Sequence, residues 1–145
     1  MLQLEFADSE ISRITVDPQN ASLLRIDFAA ALLRMTDSND ANPNPLGCGN
    51  NRYGYSQGVS LLLTTTHTSG DAAACTGRLS DGSITDVTDA THAGQRRTEL
   101  AVPSQCNVPL RLDLQCANGA WLQIHATSLQ CVQAADARWV EVFKC

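Results

Sequence analysis

The segment from Leu110 to Ala126 constrains the fold more than any other part of the chain, because apolar and polar residues alternate on both sides of an Asn-Gly dipeptide. Leu110, Leu112 and Leu114 alternate with Arg111, Asp113 and Gln115, and the return reads Trp121-Leu122-Gln123-Ile124-His125-Ala126. This period of two belongs to strands with one buried face. A two-residue turn at Asn118-Gly119 would set Leu112 against His125 and Leu114 against Gln123, mixing apolar and polar residues on one face. A three-residue loop of Ala117, Asn118 and left-handed Gly119 instead sets Leu114 opposite Leu122 and Leu112 opposite Ile124. A slip of one residue would turn the whole apolar set to water, so burial selects the three-residue loop with its glycine bulge. Arg111, Asp113 and Gln115 then meet His125, Gln123 and Trp121 on the other face. His125 is therefore expected outside, as a cross-strand residue and not an inward base.

The same period recurs along the chain. Leu2, Leu4 and Phe6 alternate with Gln3 and Glu5 as in an edge strand, and Ile11–Val16 reads as a second strand stopped by Asp17-Pro18. Leu24-Arg25-Ile26-Asp27-Phe28 alternates cleanly, and its phase runs on through Ala30 and Leu32. Phe28–Met35 would also suit two helical turns, since Ala and Leu are good helix formers, but the unbroken period of two favours a long strand. Val59–Thr66 resumes the alternation, and Asp81-Gly82 predicts a two-residue turn pairing Leu79 with Ile84. Thr88–Arg97 reads as loop and Leu100–Val102 as a short strand. Arg138–Phe143 carries apolar residues on both faces, which predicts a strand inside the sheet system and not at a solvent edge. The expected fold is all-β: a single-domain antiparallel β-sandwich or partly closed barrel of about eight to ten short strands over residues 1–145.

One stretch breaks the pattern. Residues 36–58 hold Asp37, Asn39, Asp40, Asn42, Pro43, Asn44, Pro45, Gly47, Gly49, Asn50, Asn51 and Gly54, nearly every strong turn former. A loop longer than about 15 residues is uncommon without a functional reason or disorder. Its exit, Arg52-Tyr53-Gly54-Tyr55, holds both tyrosines of the chain.

Composition bounds the function. Aromatics make up only 5% of the 145 residues, so the core must be built from Leu, Ile, Val and Ala. A net charge of −5 and a pI near 4.9 argue against nucleic-acid binding, which needs a basic footprint, and against adhesion to an anionic membrane. No apolar run approaches the roughly 20 residues that span a bilayer. The N-terminus shows neither a basic nor an apolar signal region, so a cytoplasmic protein is the default expectation. In that compartment Cys48, Cys75, Cys106, Cys116, Cys131 and Cys145 would stay thiols, whereas their even number would suit a disulfide framework after export.

Chemical signatures are thin. Zinc ligands come in close pairs, yet the nearest cysteines, Cys106 and Cys116, are ten apart, and no two histidines lie closer than His67 and His92. No metal and no cofactor are expected. Cys48, between two glycines, is the one candidate nucleophile, but nothing guarantees the imidazole or helix terminus that would activate it. Cys116 continues the inward phase of Leu112 and Leu114 and reads as a small core hydrophobe. The pairs Asp8/Glu10, Asp37/Asp40 and Asp86/Asp89 read as solvated turn residues, without the ordered oxygen ligands of a calcium loop. No nucleophile elbow, phosphate loop or dinucleotide fingerprint occurs.

The remaining candidates are Arg52, Tyr53 and Tyr55. Tyr and Arg offer large contact area with a polar handle and are enriched at binding hot spots. The plainer reading is that the tyrosines begin the next strand and cover the end of the core. The sequence thus points to a non-catalytic protein-interaction module that meets another protein through the 36–58 loop, a general profile shared by immunity-type and accessory binding proteins. The alternatives are a small-ligand-binding barrel and an enzyme using Cys48 or a histidine.

Overall fold

The alternation at Leu110–Ala126 becomes a hairpin with the register that burial demands. In the computed structural model, which describes residues 1–36, 51–87 and 94–142, Leu114 faces Leu122, Leu112 faces Ile124, and Arg111 faces His125. Gly119 takes φ +90°, and the Cys116 carbonyl accepts from its N–H at 3.0 Å. Ala117, Asn118 and Gly119 form the loop between the last pair, Cys116 and Ala120.

Eleven strands are described: β1 (Leu2–Val16), β2 (Leu23–Thr36), β3 (Asn51–Ser56), β4 (Val59–Gly70), β5 (Gly77–Asp86), β6 (Arg96–Arg97), β7 (Glu99–Val102), β8 (Ser104–Cys106), β9 (Leu110–Cys116), β10 (Trp121–Gln133) and β11 (Trp139–Val142). Among the described residues there is no helix, and so none long and apolar enough to cross a membrane. The strands β2-β4-β10-β9-β5-β1 pair in that order, all antiparallel, and β1 returns to β2. Six strands thus close an antiparallel barrel. The outer strands hang from it: β7 on β1, β6 on β5, β8 on β10, and β3 with β11 on β2.

The interior is aliphatic, as the scarcity of aromatics requires. Leu4, Ile11, Ile26, Leu61, Leu63, Leu79, Ile84, Leu112, Leu114 and Ile124 are all buried, and Phe6 and Phe28 are the buried phenylalanines among them. Each fully buried aliphatic side chain contributes about 1.5–3 kcal/mol relative to exposure.

The strands are longer than expected. The two segments Leu2–Phe6 and Ile11–Val16 are one bent strand, and Leu2–Phe6 is no edge, because β2 and β7 flank it. The bend is a bulge: the pairing with β2 shifts between Glu5 and Glu10, and Asp8 sits at φ +70°, a left-handed region that Asp tolerates better than most residues. The buried Ser9 hydroxyl repairs the ladder there. It accepts from the Leu32 N–H at 2.8 Å and donates to the Glu5 carbonyl at 2.6 Å. Phe28–Met35 is strand and not helix.

Three expectations fail. Asp81-Gly82 is no turn, because β5 continues through it, with a register shift between Leu79 and Asp81, setting Leu79 against Cys116 and Ile84 against Leu112. Gly82 is needed for close approach: a Cβ there would stand 2.5 Å from the Phe6 Cβ. The 36–58 loop is shorter than its composition implied, since Asn51–Ser56 forms β3, and residues 37–50 lie outside the described residues. The final strand is not interior. β11 pairs only with β3 among the described residues, and Val140 is 65% exposed.

The Gly82 site gives a direct test. Gly82→Ala should cost about 1–3 kcal/mol by overpacking against Phe6, read as a lower urea midpoint at unchanged slope. A Gly82 whose Cβ direction is open space would leave the midpoint nearly unmoved.

Candidate functional site

A strand presents alternate residues to opposite faces, so β3 divides the three candidate residues. Tyr55 lies opposite Leu32 of β2 and Val140 of β11, and Tyr53 opposite Arg34 and Val142. Opposed residues share a face, so both tyrosines, Val140 and Val142 form one apolar strip on the outer side. Arg52 points to the other side with Met35. The tyrosines are half-buried and Arg52 is exposed.

Arg52 is tied down. Its Nε and one terminal nitrogen donate to the two carboxylate oxygens of Glu141, each at 3.0 Å, in a bidentate fork. Its guanidinium carbon also stands 5.3 Å from the centre of the Trp139 ring, within cation–π range. Trp139 lies so close over Gly54 that a Cβ there would come 2.1 Å from the indole Nε1. Only glycine admits the ring, and that explains Gly54 in a strand. Arg52, Trp139 and Glu141 therefore form a clamp that holds β11 on β3.

Beside the tyrosine strip the outer surface is hollow. β2 pairs with β4 through Leu23–Asp27 and with β3 only from Ala31 onward, so β3 and β11 leave the barrel wall as a wing. The recess at its root, of about 570 Å³, is lined by Asp8, Glu10, Ala30, Leu32, Tyr55, Arg78 and Val142. Arg78 ion-pairs with Asp8, its Nε at 3.1 Å from Oδ1. Glu10 adds a second carboxylate, so Asp8, Glu10 and Arg78 sum to one negative charge. Further along the face, Arg34 meets Glu99 and Glu5, again one cation against two anions.

A second depression, of about 610 Å³, lies on the far outer side between the β1–β2 connection, β4, β8 and β10. Its apolar residues include Val16 and Leu23, exposed at 53% and 40%, and Leu62. Its cation is Arg25, which already donates to Asp27 at 2.8 Å. Burial opposes the charge on Asp27, but hydrogen bonds from Ser60 and Arg25, with the charges of Arg25 and Arg13, hold its carboxyl below the ordinary 3.8. That depression thus offers apolar surface, neutral amides and the carboxylate of Asp17, which accepts from the Gln19 N–H at 2.8 Å.

The other chemical candidates do not assemble. His125 faces outward beside Arg111, and His67 opposes it on β4, the rings 6.0 Å apart. No group of three His, Cys, Asp or Glu placed to hold a metal occurs among the described residues. Cys48 and His92 lie outside the described residues. Comparison with protein-family models, curated proteins and solved structures finds no match for this chain.

Sequence reasoning singled out Tyr53 and Tyr55 as candidates but not the residues that surround them in the fold. Val140 and Glu141 stand 89 or fewer residues away from the loop exit in sequence, and only the β3–β11 pairing joins them.

The clamp predicts a titration. Glu141 is held below its ordinary 4.5 by hydrogen bonds from Arg52, slight burial opposing and the Arg52 charge assisting. A depressed carboxylate contributes its stability above the unfolded value and loses it as pH falls through the folded one. NMR titration should find Glu141 below 4.5, and Arg52→Ala should return it upward. An unchanged Glu141 midpoint in that variant would remove the clamp.

Proposed function

We propose that this protein is a non-catalytic binding module that receives an extended, positively charged segment of another protein along β11 and the outer tyrosine face. The observation that carries the reading is the edge strand: no strand pairs with the outer side of β11 among the described residues, and its Val140 is 65% exposed. Soluble proteins usually blunt such edges with charge, proline or a cover. An added strand would satisfy the open backbone groups of β11 and set its side chains beside Tyr53 and Tyr55.

Charge supports the sign of the partner. The recess is lined by Asp8 and Glu10, Glu5 and Glu99 stand along the same face, and the chain as a whole is at −5. Complementary charge steers encounter and selects partners more than it adds affinity. The partner segment is therefore basic. Its affinity would come from backbone pairing and from the tyrosines, which present large area at low entropic cost.

The test is site-specific crosslinking. A photoreactive residue at Val142 should capture a basic partner segment from the native cell, and the capture should fall at least tenfold in Val140→Lys and in Tyr55→Ala. Both variants should keep the thermal midpoint within a few degrees, and Val16→Lys, in the distant depression, should bind normally. Equal capture by wild type and Val140→Lys would remove the reading. Loss of folding in Tyr55→Ala would return that tyrosine to a structural role.

A second reading rests on the 610 Å³ depression. Core side chains occupy the barrel lumen, so a small ligand would sit outside it, on Val16, Leu23 and Leu62. Such a ligand is apolar and carries no negative charge, because Arg25 is committed to Asp27 and Asp17 lines the same surface. An environment-sensitive apolar dye should brighten with the wild type and not with Leu23→Asp if this surface binds ligands.

A further inference from the structure

Two cysteines far apart in sequence meet inside the protein. Cys75 is completely buried and Cys116 is 2% exposed, and their sulfurs stand 2.8 Å apart across 41 residues. Both are thiols here, yet the separation approaches the ~2.05 Å of a covalent bond. Among the described residues no other pair of sulfurs makes such a contact.

The placement is built from both sides. Cys116 closes β9, where the hairpin register fixes it: its N–H donates to the Ala120 carbonyl at 2.8 Å, and its own carbonyl accepts from Gly119. Cys75 ends the turn that links β4 to β5. Its N–H donates to the Asp71 carbonyl at 3.1 Å, and the Asp71 carboxylate accepts from the Ala74 N–H at 3.2 Å. The turn is then pinned to the hairpin loop. The Asn118 side chain donates to the Ala74 carbonyl at 3.0 Å, and the Ala117 N–H donates to the Arg78 carbonyl at 2.8 Å. Four hydrogen bonds within these two loops, two more between them and one strand pair, Leu79 with Cys116, thus hold the sulfurs together without a covalent link.

We propose that Cys75 and Cys116 form a disulfide that staples the β4–β5 turn to the β9–β10 hairpin. The oxidant is a small-molecule or protein disulfide. A thiolate from one cysteine attacks it, giving a mixed disulfide and releasing one reduced sulfur. The second cysteine displaces the other sulfur, so the new S–S bond forms as the oxidant's breaks. The oxidant leaves as two thiols with the two protons and two electrons that the cysteines lost.

Burial sets when this happens. The attacking species is a thiolate, and burial, with Cys116 as a neighbour, pushes the Cys75 thiol up to about 12. The folded protein therefore resists both oxidation and reduction at this site. The bond closes while the hairpin and the turn are still open to solvent, during folding in an oxidising medium, and is then sealed. This differs from the expectation that the cysteines stay reduced, which rested on compartment and not on geometry.

The experiment is to refold the full chain in a glutathione redox buffer, alkylate the remaining thiols in denaturant, and map peptides without reduction. A linked peptide pair containing Cys75 and Cys116, two hydrogens lighter than the sum of its parts, is the expected result. The oxidised protein should melt about 10 °C above the reduced one, and Cys75→Ala should abolish that difference. Refolded protein with native strand content in which Cys75 and Cys116 are both alkylated, or are linked to other cysteines, would overturn the proposal.

Discussion

The pairing of β1 with β2 is the interaction on which the rest depends. It is the contact that turns an open sheet into a closed barrel, and an open six-stranded sheet would leave two long edges to water. The opposite seam of β1 is narrow, with only Glu10 opposite Arg78 and Ile11 opposite Gly77. The β1–β2 ladder is extensive by comparison, running from the Leu2–Met35 pair to the Val16–Leu24 pair. β1 must nevertheless serve β7 at one end and β5 at the other, and it does so by bending at Asp8. The buried Ser9 hydroxyl compensates for the hydrogen bonds lost there. A small polar side chain at one position therefore lets one strand belong to two neighbourhoods.

Much of this was legible, and the reason is local. Where one face of a strand is buried, the period of two fixes which residues look inward, and the Leu110–Ala126 register follows from that alone. The same logic made a strand of Phe28–Met35 against its helical propensity. It failed where a dipeptide signal competed with a distant neighbour. Asp-Gly is a strong turn signal, but Gly82 lacks a side chain because Phe6 fills that space, and Phe6 is 76 positions away in the chain. A glycine in a strand often marks such a close approach, so the alternative was available in principle, but the identity of the intruding residue was not.

The candidate site was half legible for the same reason. Composition marked Tyr53 and Tyr55, and alternation could have separated them from Arg52. Nothing in the sequence joins Arg52 to Glu141 or sets Trp139 over Gly54, because both contacts exist only once β11 lies on β3. The final strand was placed inside the sheet because Trp139, Val140 and Val142 put apolar groups on both faces. The structure gives two separate reasons for them. Trp139 is covered by the core side of the wing, whereas Val140 remains exposed beside the tyrosines. Apolar residues on both faces record burial in one case and an open surface in the other, and a pattern cannot distinguish the two.

The recess and the thiol pair share one residue. Arg78 follows Cys75 by three positions, and its carbonyl accepts from Ala117 in the hairpin loop, while its guanidinium holds Asp8 at the β1 bulge. Gly77, at φ +90°, sets the angle between the turn and β5. The start of β5 is thus fixed at once by the hairpin behind it and by the bulge in front. Because β1 pairs its backbone with β5 only at Glu10 and Ile11, the position of Arg78 also governs how the narrow seam closes. A constraint on the turn at Cys75 is consequently a constraint on the wall of the recess, and the side chain that transmits it is the one cation among Asp8, Glu10 and Arg78.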